Sequence, residues 1–207
     1  MRLQPSFLAF LVPALTLSDA SDAAIIAFTQ RSVWDAFAAA NGASRSTETF
    51  SSYSGPYLTD LSGTTGGVQW LAEAPGGVEV GTAAGSAALS TIVPSTLTLT
   101  FGGASVRGIG TNVFGTDSSF GIVPIVVRFV LSDGTNIVRS MSSATSFVGV
   151  WSTGSAITSI QILPETSALS GAVAFATIDD LTFAVIPGPA AGLTIAALAV
   201  RPNRRRS

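Results

Sequence analysis

Ile125-Val126-Val127-Arg128-Phe129-Val130-Leu131, then Ser132-Asp133-Gly134-Thr135, then Ile137 and Val138, is the stretch that decides the fold. Ile125, Val127, Phe129 and Leu131 occupy one phase of a period of two, and Val126, Arg128 and Val130 the other. That is the pattern of a strand with one face in a core. The Asp133-Gly134 pair supplies the positive φ angles of a tight hairpin that returns into Ile137 and Val138. Arg128, on the outward phase, reads as a solvated sheet residue.

The same period runs through much of the chain. Leu97, Leu99 and Phe101 alternate with Thr96, Thr98 and Thr100, giving a strand with one buried and one hydroxyl-lined face. Further strands are expected over 47–50, 68–71, 78–80, 106–114, 146–151, 157–163, 172–178 and 181–185. Many short strands at this spacing predict an all-β, antiparallel β-sandwich, jelly-roll-like, of eight to ten strands. The period changes to helical only over 29–42. There Val33, Trp34, Phe37 and Ala38 share a face, Thr29 or Ser32 is the candidate N-cap, and Asn41-Gly42 the stop. This short N-terminal helix is expected against one end or edge of the sandwich. Residues 51–67, rich in Gly, Ser and Thr, read as a long loop or irregular edge.

Composition bounds the chemistry. A chain of 207 residues with 47% hydrophobic residues holds one domain with a full core. Charged residues are only 11%, and histidine, cysteine and lysine are all absent. That removes disulfides, thiolate nucleophiles, the usual zinc sites, and the bases on which hydrolytic triads depend. The net charge of −2 conceals an asymmetry, because five of the ten arginines lie in the terminal segments. Between residues 24 and 186, five arginines face ten acids, a balance of −5. No basic face remains to neutralise phosphates, which argues against a nucleic-acid partner.

Both termini read as addresses. Arg2, an apolar run over 7–17 and the small-residue stretch after it form a secretory signal peptide, residues 1–23, with cleavage expected after Ala20 or Ala23. At the other end stand Pro187, Gly188 and Pro189, an uncharged stretch over 190–200, and Arg204, Arg205 and Arg206. As a helix those eleven apolar residues span about 16 Å, and extension back to Phe183 gives eighteen uncharged residues, against a hydrocarbon core of about 30 Å. The basic cluster would hold the far end of a transmembrane helix in the cytoplasm.

Residues 187–207 resemble a PEP-CTERM sorting signal, in which a Pro-Glu-Pro motif precedes a short transmembrane helix and an arginine cluster. Pro-Gly-Pro stands here for Pro-Glu-Pro. The resemblance implies export by the secretion machinery and recognition by an exosortase, a membrane-embedded cysteine transpeptidase. It further implies cleavage near the motif, with release to, or attachment in, an extracellular polysaccharide matrix. Residues 24–186 are then the β-sandwich domain placed at the cell surface or in that matrix.

Within the domain, the surviving chemistry is that of carboxylates, hydroxyls and aromatic rings. Residues 47–50 and 178–181 resemble the first-strand Glu and last-strand Asp that hold structural calcium in many carbohydrate-binding jelly rolls, which singles out Glu48, Asp179 and Asp180. The same acids also suit a bulge or a set of backbone caps. Tyr53, Tyr57, Trp70 and Trp151 are candidates for a sugar-stacking platform, although burial would serve them equally well, while Trp34 belongs to the core. A non-catalytic role, glycan-binding or structural, is expected. The competing class, a carbohydrate-active jelly-roll enzyme, needs two convergent carboxylates roughly 5 to 9.5 Å apart. Asp179 and Asp180, as strand neighbours, are expected on opposite faces and so not to pair with each other. Glu48 and Asp179 would meet only if the first and last strands are adjacent. A hydrated matrix filler is the third reading.

Overall fold

Apolar residues at every second position draw this chain into strands, because each strand face then belongs either to a core or to solvent. The computed structural model describes residues 24–165 and 174–187. Along them run β1 (Ile25–Phe28), α1 (Arg31–Ala40), β2 (Ser44–Glu48), β3 (Gly55–Tyr57), β4 (Asp60–Thr65), β5 (Val68–Glu73), β6 (Val78–Ala83) and β7 (Ser86–Thr91). There follow β8 (Leu97–Gly103), β9 (Val106–Thr116), β10 (Ile122–Val123), β11 (Ile125–Leu131), β12 (Asn136–Met141), β13 (Phe147–Ser152), β14 (Ser159–Glu165) and β15 (Phe175–Val185).

The strands form two antiparallel sheets. The large sheet has nine strands in the order β1-β13-β9-β15-β7-β6-β3, with β10 on β9 and β2 on β15. The small sheet has six, β12-β11-β14-β8-β5-β4. From β7 onward the chain passes back and forth between them, with β8, β11, β12 and β14 in the small sheet and β9, β13 and β15 in the large one. Leu97, Leu99, Val127 and Phe129 from one sheet join Val113, Ile178, Leu181 and Phe183 from the other in a single core, and Phe101 meets Phe183 edge-on at 5.4 Å. The described residues therefore form a β-sandwich with one helix, and their strands outnumber the eight to ten expected.

The helix lies on the outer face of the large sheet, not at an end or edge. Gly149 and Gly110 leave a recess there. A Cβ at Gly149 would come within 2.5 Å of the Trp34 ring, and one at Gly110 within 3.2 Å. Trp34 fills that recess, fully buried, and its indole N–H donates to the Val150 carbonyl at 3.1 Å. Phe37 packs edge-on to Trp151 at 5.5 Å. The N-cap is Gln30, in extended conformation and without a side-chain bond, and not Thr29 or Ser32. The pairing of β1 with β13 ends at Phe28, and this sets where the helix begins. Asn41 and Gly42 stop it as expected, Gly42 at φ +70.

Two turns and one strand irregularity differ from the sequence reading. At Asp133-Gly134 only Gly134 has positive φ. The Gly134 N–H donates to the Leu131 carbonyl at 2.9 Å and Leu131 N–H to the Thr135 carbonyl at 3.0 Å, a three-residue loop closed by a left-handed glycine. Residues 51–67 are not one loop, because Gly66 and Gly67, both left-handed, make a two-residue turn that pairs β4 with β5. The expected strands over 172–178 and 181–185 are one strand, β15, with a register shift between Asp179 and Thr182.

Ala84 and Gly85 join β6 to β7 with Ala83 opposite Ser86, and Ala84 sits at φ +51. A left-handed alanine costs about 1–2 kcal/mol that asparagine or glycine largely avoids. Ala84→Asn is expected to raise the urea midpoint by the equivalent of about 1 kcal/mol, with an unchanged far-ultraviolet spectrum.

Candidate functional site

The carboxylates singled out by sequence come together in the middle of the large sheet, where β15 changes neighbours. One flank of β15 is bonded to β9 along nearly its whole length. The other is bonded to β7 at Thr177 and Ile178, and to β2 from Leu181 to Val185. The handover falls at Asp179 and Asp180. Asp180 adopts φ +53, which a short polar residue tolerates, and the extra residue lets Ile178 and Leu181 both face the core.

That bulge overturns the expectation that the two aspartates leave opposite faces. Asp179 is the register partner of Asn112, and Asn112 Nδ2 donates to Asp180 Oδ2 at 3.4 Å. Both acids thus lie on the outer face beside the start of α1. Arg31 reaches in from the helix, 3.7 Å from Asp180 Oδ2, donating to Thr182 Oγ1 and Asn112 Oδ1 at 3.3 Å each and lying over the Phe147 ring. Asp179 Oδ1 accepts the Asp180 N–H at 2.7 Å. Asp179 is only 8% exposed, and burial pushes its carboxyl above the usual aspartate range. Repulsion from Asp180 adds to the shift, while Ser86 and Arg31 oppose it.

β2 and β15 are indeed adjacent, yet Glu48 does not meet Asp179. Glu48 is the register partner of core-facing Leu181, so its side chain turns to the inner side. There Oε1 accepts the Phe50 N–H at 2.9 Å and Oε2 the Thr65 hydroxyl at 2.8 Å. The first of these bonds pins Phe50, a fully buried ring held at φ +57 and packed edge-on to Trp70 at 5.8 Å. Glu48, Asp179 and Asp180 therefore do not fit one shared calcium ion. Among the described residues no three acidic side chains converge as a metal group would require.

The four aromatic candidates do not form a platform. Trp70 and Trp151 are each 2% exposed, the first on the core phase of β5 between Val68 and Ala72, the second beneath α1. Tyr53 and Tyr57 are half-buried against the core, Tyr53 edge-on to Trp70 at 5.7 Å. Burial, with Glu48 nearby, raises the Tyr53 phenol above its usual range. Pro187 is exposed at the end of the described body. Ala20, Ala23, Gly188, Pro189, Arg204, Arg205 and Arg206 lie outside the described residues. Among the described residues no helix is long and apolar enough to cross a membrane, and the expected spanning segment is not among them.

A surface that sequence did not single out lies on the outer face of the small sheet. It is an open trough of about 540 Å³ across β4, β5 and β8. Two cross-strand rows line it, Thr100-Leu71-Ser62 and Gly102-Gln69-Thr64. The side-chain bonds of this corner run on the other side of the sheet, from Thr65 to Glu48 and from Trp70 to Thr65. Ser62, Thr64, Gln69 and Thr100 make none with described residues. The hydroxyl face of β8 was readable from its alternating threonines, but β4 was hidden in the expected loop. Gly66-Gly67 between two alternating runs was the available signal.

Comparison with family models, with curated proteins and with solved structures finds no match for this chain.

Two outcomes follow from the carboxylates. Glu48→Ala is expected to cost about 1–3 kcal/mol in equilibrium unfolding, because the Phe50 N–H and the Thr65 hydroxyl lose their acceptor; Glu48→Gln, which keeps one, is expected to cost less. For Asp179 the folded-state pKa lies above the unfolded one, so the native state binds the proton more tightly and this acid's contribution to stability falls as pH rises. Asp179→Asn removes that dependence. Measured by urea unfolding, its stability relative to the parent is expected to increase as pH rises through and above the ordinary aspartate value of about 3.9. A constant difference would contradict the assignment.

Proposed function

We propose that this chain is an exported cell-surface or extracellular-matrix protein whose β-sandwich binds or scaffolds rather than catalyses, delivered by a PEP-CTERM-like sorting tail. The observation that carries the reading is the fit between fold and addresses. β1 begins at Ile25, directly after the expected signal cleavage at Ala20 or Ala23, and β15 ends at Val185, directly before Pro187. Among the described residues, the sandwich runs from Ile25 to Val185, between the two expected addresses.

The winding supports a jelly roll. The orders β7-β15-β9-β13 and β8-β14-β11-β12 have consecutive strands alternating between sheets except for the β11-β12 hairpin, as in double-sheet jelly rolls. A binding role is favoured over carboxylate hydrolysis because Glu48 is spent on Phe50 and Thr65, while Asp179 and Asp180 are tied into a strand bulge beside Arg31. An enzyme of the glycosidase type needs one acid free to protonate and another free to attack or activate water. The expected partners are the secretion machinery, an exosortase-like enzyme and, in the matrix, extracellular polysaccharide.

Mass spectrometry of the protein recovered from its native host tests this directly. The expected mature N-terminus follows Ala20 or Ala23, and the expected C-terminus lies near Pro187. A surface-localised protein that retains both Met1 and Ser207 would overturn the sorting assignment.

A further inference from the structure

Glycine is a poor choice inside a strand, since it adds backbone entropy to the unfolded chain and offers no side chain to pack. The described strand glycines of this protein have reasons to be there, with one exception. Gly55 and Gly103 have positive φ. At Gly63, Gly81, Gly108, Gly110, Gly115 and Gly149 a Cβ would come within 3.0 Å of a neighbouring atom, most often one on an aromatic ring. Gly102 has an ordinary backbone, and among the described residues a Cβ there would meet only Gln69 Oε1, at 3.8 Å. Neither conformation nor packing demands glycine at this position. The missing side chain leaves the trough open on β8, where Gly102 lines it opposite Gln69.

The chemistry of the lining names the class of occupant. Ser62, Thr64 and Thr100 present hydroxyls that both donate and accept, and Gln69 presents an amide that does the same. Leu71, between Thr100 and Ser62, offers an apolar patch to ring C–H groups. Among the described residues no charged side chain lines the trough, and the domain around it carries excess negative charge, which disfavours anionic ligands. The volume, about 540 Å³, falls within the range of small-molecule sites, roughly 300–1,000 Å³. We propose that the trough across β4, β5 and β8 binds a neutral oligosaccharide and that Gly102 is the residue that admits it. This names a ligand class for the binding role proposed above and rests on that reading. Its test uses purified protein, so a failure here is distinct from a failure of the sorting assignment.

The purified full chain is titrated calorimetrically with cellohexaose, mannohexaose and, as an acidic control, a hexagalacturonate. The expected result is saturable binding of at least one neutral hexasaccharide and none of the acidic one. Gly102→Leu fills open space and is expected to keep the parental melting temperature while weakening binding by about tenfold or more. Gln69→Ala, on the solvent face, provides a second variant expected to weaken binding without loss of fold. No saturable heat with either neutral sugar, preference for the acidic one, or undiminished binding by folded Gly102→Leu and Gln69→Ala would each overturn the proposal.

Discussion

The insertion of β15 between β9 on one side and β7 and β2 on the other is the constraint on which the large sheet depends. A strand that serves three neighbours must switch partners partway, and the Asp179-Asp180 bulge is where it does so. Without the extra residue, the alternation would send either Ile178 or Leu181 out of the core, since a slip of one residue inverts every side chain beyond it. The local cost is a left-handed Asp180 and a buried Asp179 carboxyl. Backbone and side-chain partners from β9 and α1 offset it.

The two outer faces of the sandwich have different fates. On the large sheet, α1 covers β13 and β9 through Trp34 and Phe37, and Phe120 packs over Gly81 beside Ala83, Ala88 and Phe114. Among the described residues, no helix or aromatic loop is laid across β4, β5 and β8 of the small sheet, and an open trough exposes its hydroxyls and the Gln69 amide. Any recognition by a sheet face therefore falls more naturally to the small sheet, while the acids of the large sheet work in its architecture.

Much of this was legible in the chain wherever one strand face is apolar and the other polar. β8, β9, β11, β13 and β14 were all anticipated, as was the helix with its Asn41-Gly42 stop. The failures share a physical cause. β7, Ser-Ala-Ala-Leu-Ser-Thr, is built mostly of small residues, is buried on both faces from Ala88 to Thr91, and shows no alternation. β4 is rich in Gly, Ser and Thr because its inner side must accommodate the Trp70 ring, against which a side chain at Gly63 would collide, so its composition mimics a loop. The bulge was invisible because two acids in a strand carry no local mark of which neighbour each half of the strand will find. The aromatic candidates misled for a related reason: residue type advertises a stacking surface, but the register of β5 turns Trp70 into the core, and α1 covers Trp151 on the outer face of the large sheet.

The position of β15 also bears on how the molecule would respond to force. A pull applied at Pro187 runs along the axis of a strand bonded on both flanks, so its hydrogen bonds with β9, β7 and β2 are loaded together in shear. A pull applied at Ala24 meets only the edge pairing of β1 with β13, a ladder of four residue pairs. The carboxyl end of the sandwich is thus its stronger attachment point, and the amino end the one that would yield first.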